Sequence, residues 1–163
     1  MKFLKQSIVC FVAFLALNGF VLAGTMTETG TAYGTTLTQE ETVLPDGNVL
    51  TRGTDQSIWV QEGVPEGFPS MLMGNCQSMG LRSPEFANLG FTWACTATDI
   101  DGDGFINLGG DANPDWSGCN YKSVAGWGKY AGVTRSGTCY FAGNVTADGS
   151  HWVLKWSGET TYP

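Results

Sequence analysis

The densest group of potential ligands in the chain is Asp99-Ile100-Asp101-Gly102-Asp103-Gly104-Phe105-Ile106-Asn107. Oxygen ligands fall at alternate positions, glycine stands sixth and an apolar residue eighth, which is the opening of a calcium loop. Asp99, Asp101, Asp103, the Phe105 carbonyl and Asn107 are therefore the candidate metal ligands, and calcium is the one metal the chain suggests. The twelfth position, where a bidentate acid is needed, holds Gly110, with Asp111 one residue late, and the flanks lack helical character. The motif is thus not an EF-hand, and the competing reading is a solvated turn in which Asp and Gly serve turn geometry alone.

Six tryptophans, Trp59, Trp93, Trp116, Trp127, Trp152 and Trp156, give a second chemistry: flat faces that stack on apolar or sugar rings. Trp93, Trp152 and Trp156 alternate with polar neighbours, which assigns them to the core. Trp116 and Trp127 stand among Pro, Gly and Ser, and with Tyr130 of the same glycine-rich turn they are the candidates for a ligand-binding rim. Nothing assembles a catalytic constellation. His151 is the sole histidine and has no evident partner, and no nucleophile elbow or zinc-protease motif occurs.

Cys76, Cys95, Cys119 and Cys139 follow a leader with the marks of an export signal: basic Lys2 and Lys5, a mostly apolar run from Ser7 to Phe20, and Val21-Leu22-Ala23 as the cleavage site. The expected organisation is a signal peptide over 1–23 and one domain over 24–163, secreted or periplasmic. Four cysteines outside the cytoplasm predict two disulfides, and of the three connectivities Cys76–Cys95 with Cys119–Cys139 is favoured, because each pair would staple adjacent strands. The eight basic residues fall to six once Lys2 and Lys5 are removed, dispersed against 15 acidic ones, so nucleic acid and anionic membranes are excluded as partners.

The elements that must position these groups are short and extended. Thr42-Val43-Leu44 and Asn48 to Thr51 flank Pro45-Asp46-Gly47 as a hairpin, and Gln56–Gln61 reads as a further strand. In Leu89–Thr98, Phe91, Trp93, Cys95 and Ala97 share one face. Trp152, Leu154 and Trp156 repeat the pattern behind the Asp148-Gly149 turn. Ser83–Asn88 is the one short helical turn predicted. Residues 24–40, rich in Thr and Gly, are expected to be a loosely ordered stretch or an edge strand. No window carries a helical period, so the fold class is all-β: an antiparallel β-barrel of about eight strands, with a sandwich as the alternative.

Gly126-Trp127-Gly128-Lys129-Tyr130-Ala131-Gly132-Val133 resembles the G-T-G-K-[YF]-x-G-[VI] signature of a group of small exported bacterial proteins. It is also similar to the equivalent turn of allene oxide cyclase and dirigent-like barrels. The chain departs from that pattern at Trp127, where Thr is usual, and at Arg135, where Gly is usual. The resemblance implies a closed eight-stranded barrel with an apolar interior. The expected function is non-catalytic binding of a small apolar or carbohydrate ligand, with a cavity-steering isomerase or cyclase and a calcium-ordered surface module as alternatives.

Overall fold

A computed structural model describes residues 24–111, 113, 115 and 117–163. The expected signal segment and Trp116 lie outside the described residues. Eight strands follow one another in order: β1 (Gly24–Val43), β2 (Val49–Glu62), β3 (Met71–Arg82), β4 (Asn88–Thr98), β5 (Gly104–Asp111), β6 (Cys119–Trp127), β7 (Thr134–Asn144) and β8 (His151–Tyr162). Each is antiparallel to the next, and β8 returns to pair with β1, closing a barrel. The expected barrel is observed and the sandwich is not. Eight strands enclose a lumen just wide enough to be filled by side chains or to hold one small ligand.

Period-two patterning explains the inside and the outside. In β3, Leu72, Gly74, Cys76 and Gly80 are buried while Met71, Met73, Asn75, Gln77 and Met79 are exposed. Phe91, Trp93, Cys95 and Ala97 take the inner face of β4, as their alternation predicts. The disulfides join Cys76 to Cys95 and Cys119 to Cys139, and each pair sits directly opposite in the strand register.

Two expectations are corrected. Residues 24–40 form most of β1, which is hydrogen-bonded to β2 on one side and to β8 on the other, so the stretch is neither loose nor an edge. Its threonines favour a strand and its glycines do not, and pairing on both flanks holds the glycine positions extended. Ser83–Asn88 is a turn without helix: the Ser83 hydroxyl accepts from the N–H groups of Glu85 and Ala87, and Phe86 at φ 65° ends any helical run.

The two ends of the barrel differ. One is closed by Phe68, from the connection between β2 and β3, with Tyr130, Tyr162 and Phe105. Phe68 lies 5.3 Å from Tyr130 and 4.5 Å from Tyr162 between ring centres, and Phe105 lies 5.3 Å from Tyr130. At the end carrying the β1–β2, β3–β4, β5–β6 and β7–β8 connections, no described residue plugs the lumen.

Candidate functional site

Behind that open end lies a cavity of about 470 Å³. Its walls come from residues at which the inner faces of several strands meet: Trp59 on β2, Trp93 on β4, and Trp152, Leu154 and Trp156 on β8, with both disulfides set among them. The tryptophans assigned to the core by their alternation are therefore the cavity wall. Four indoles would ordinarily fill a lumen of this width.

Glycines keep it open. A side chain at Gly30 would fall inside the ring of Trp156, one at Gly34 inside Trp152, and one at Gly109 inside Trp93. Each of these glycines is the register partner of its tryptophan on the neighbouring strand. A Cβ at Gly74 would likewise stand 2.5 Å from Nε1 of Trp59. Each of these rings thus occupies the space a side chain on the facing glycine would need, and Trp59 and Trp156 meet each other at a tilt with ring centres 5.7 Å apart. Close backbone approach of this kind is available only to glycine.

Polar groups are few and specifically placed. On the wall, Asp55 accepts a hydrogen bond from the Thr36 hydroxyl at 2.9 Å. Burial raises its carboxyl above the usual carboxylate range, while the hydrogen bonds from Thr36 and Trp152 pull the other way. At the inner end Arg135 is ion-paired to Glu28 and stacks 4.4 Å over the ring of Phe105, and the Tyr162 hydroxyl donates to the other Glu28 oxygen at 3.3 Å. Glu28 and Arg135 are 1% and 4% exposed, so this is a charge pair inside the barrel. Tyr121 lines the cavity near the pair. Burial pushes its phenol up to about 12, with Arg135 drawing it down and Glu28 adding to the rise, so it remains a proton donor across the physiological range.

The residues singled out from sequence are distributed otherwise. Tyr130 is buried in the closed end and Trp127 donates its indole N–H to the Gly102 carbonyl at 2.8 Å. Neither touches the cavity. Of the acidic loop, the Asp99 carboxylate accepts the N–H groups of Asp101 and Asp103, and Lys129 reaches Asp99 at 3.0 Å and Asp101 at 2.7 Å. Asp103 accepts the backbone N–H of Lys129. Lys129 therefore already supplies counter-charge to two of the three neighbouring carboxylates, and its backbone N–H serves the third. Phe105 and Asn107 face the barrel interior instead of this loop. Among the described residues no group of three or more His, Cys, Asp or Glu side chains is disposed to hold a metal ion. His151 is exposed, with Nδ1 2.9 Å from the Ser150 hydroxyl.

The Lys129 clasp has a defined pH signature. Burial works to raise the Asp99 carboxyl, but Lys129 and the two backbone N–H groups outweigh it and hold the group below its ordinary value. Hydrogen bonds to Asp101 and Asp99 raise Lys129. A depressed carboxyl stabilises the fold above its unfolded value of about 3.9, and a raised ammonium does so below about 10.4. Lys129→Met is therefore expected to melt below the parent at neutral pH, with the gap closing as the pH falls below about 4. A gap that persists unchanged at pH 2 in thermal melts refutes the pairing.

No protein-family model matches the chain, and no curated protein matches it in sequence. Solved structures do. The pterocarpan synthase dirigent protein GePTS1 superposes with a TM-score of 0.52 over 90% of this chain and 92% of its own, at 13% identity. The pterocarpan synthase dirigent protein PsPTS1 gives 0.53 over 86% and 97%, also at 13% identity. At such identity the likeness is one of fold, and the chain is an eight-stranded antiparallel barrel of the dirigent type.

Proposed function

We propose that the protein is an exported small-molecule binder that takes a flat, largely apolar ligand into the barrel. One observation carries this reading: the cavity of about 470 Å³, within the range of small-molecule sites, is kept open by glycines under four indoles. Trp59 and Trp156 pack against each other with ring centres 5.7 Å apart, and the cavity persists beside them. The two solved barrels named above are pterocarpan synthase dirigent proteins, which accords with a barrel of this shape serving small molecules. No helix among the described residues is long and apolar enough to cross a membrane, and the two disulfides suit an oxidising compartment.

A fluorescence titration with fused-ring aromatics, lipids, pigments and oligosaccharides tests it. Flat aromatics are expected to alter tryptophan emission saturably, and Trp152→Ala to weaken them about tenfold, the loss of one stacked ring of about 1.4 kcal/mol. Emission unchanged across the panel defeats the reading.

A second reading, a cavity-steering isomerase or cyclase, is favoured by Asp55 alone. It is an ionisable group on the cavity wall whose carboxyl burial raises, the direction in which an acid–base group is tuned. Glu62, Glu85 and Glu159 are all exposed. Product analysis on the ligands that bind, repeated with Asp55→Asn, separates turnover from binding.

A further inference from the structure

Protein interiors rarely leave buried polar atoms without partners, and each such atom costs about 1–3 kcal/mol, more when charged. Among the described residues this barrel leaves several at the inner end of one cavity: Nε and Nη1 of Arg135, the hydroxyl of Tyr121, Nε1 of Trp156 and Oδ1 of Asn107. All four residues line the cavity and all are more than nine-tenths buried. They come one each from four consecutive strands, β5 to β8, so a single turn or loop does not account for them. No packing argument accounts for four donors and an acceptor left idle in the same place.

Their chemistry is unequal. Arg135 and Trp156 can only donate, and Tyr121 is a protonated donor that can also accept, whereas Asn107 presents a carbonyl oxygen that can only accept. The guanidinium charge is already balanced, because Glu28 holds its Nη2 in a buried ion pair. A further anion would leave one negative charge unmatched in a low-dielectric site, which costs several kcal/mol.

We infer that the inner end of the cavity is a subsite for the neutral polar end of a flat apolar ligand, an end group that both accepts and donates, such as a hydroxyl or a carboxamide. The ligand enters apolar body outermost: its oxygen accepts from the Arg135, Tyr121 and Trp156 cluster, its O–H or N–H donates to Asn107, and its rings lie along the indole walls. The inference rests on the reading of the cavity as a binding site and adds the class and orientation of what binds there.

Three naphthalenes of matched shape test it, bearing a carboxamide, a carboxylate or an isopropenyl group at the same ring position. Binding to the full-length disulfide-bonded protein is measured by calorimetry in high salt, which screens the chain's net negative charge. The carboxamide is expected to bind at least about tenfold more tightly than either companion, the yield of a pair of satisfied buried hydrogen bonds. Tyr121→Phe and Asn107→Leu are expected to shrink that preference while leaving the hydrocarbon's affinity in place. Equal binding of carboxamide and hydrocarbon overturns the subsite and leaves the apolar cavity standing. Tightest binding by the carboxylate overturns the charge argument, and so the proposal. Absence of binding by all three removes the cavity reading as well.

Discussion

Glu28→Ala is expected to destabilise the fold by about 3–5 kcal/mol, because it strands the Arg135 guanidinium inside the barrel with no opposing charge. Arg135 is 4% exposed and cannot turn to water, and two of its nitrogens already lack partners. Deleting the carboxylate also leaves the Tyr162 hydroxyl without its acceptor. Urea unfolding under non-reducing conditions measures the loss. The double replacement Glu28→Leu with Arg135→Leu is expected to recover much of it, since removing both charges ends the desolvation cost that one alone imposes. A loss below about 1 kcal/mol for the single change would mean that water reaches the pair, and with it that the inner end of the cavity is wet.

Gly34→Val should cost much less in stability and far more in binding. The new side chain occupies the space now taken by the Trp152 ring, and the ring has only the lumen to enter. Overpacking of this sort costs about 1–3 kcal/mol, which a protein with two disulfides withstands. Affinity for the naphthalene carboxamide is expected to fall at least about tenfold as the indole takes the ligand's place. Adding Trp152→Ala to Gly34→Val restores room, so the double variant should bind more tightly than Gly34→Val alone. Wild-type affinity in Gly34→Val would show that Trp152 does not border the ligand.

These expectations rest on pairings that sequence conveys unevenly. The alternation in Phe91–Ala97 and Trp152–Trp156 is local, and it marks the inner face of a strand because side chains alternate sides every residue. The disulfide pairing was equally accessible, since both bonds join neighbours in the chain. The cavity was not. An indole in a packed core and an indole lying against an open lumen have the same alternation. What distinguishes them is a glycine across the sheet, such as Gly30 opposite Trp156. The Thr and Gly run at 24–40 looked poor as a strand for the same reason: its glycines are there for the partner's rings. Glu28 and Arg135, separated by 107 residues, gave no local sign of pairing. Lys129 was visible in the glycine signature, but its role as counter-ion to Asp99 and Asp101 follows only from the fold.

The pairing of the first strand with the last sets an order of assembly. Gly24 stands opposite Tyr162, so the ring cannot shut until the final residues are free to join it. Every other contact between strands is a hairpin, and both sulfur bridges span about twenty residues, so oxidation can precede closure. The Glu28, Arg135 and Tyr162 group sits on this seam and is made only when it shuts, as contacts of the greatest sequence separation form latest. A chain halted before β8 would hold its bridged hairpins yet expose the margins of β1 and β7, two unpaired templates for association with other copies.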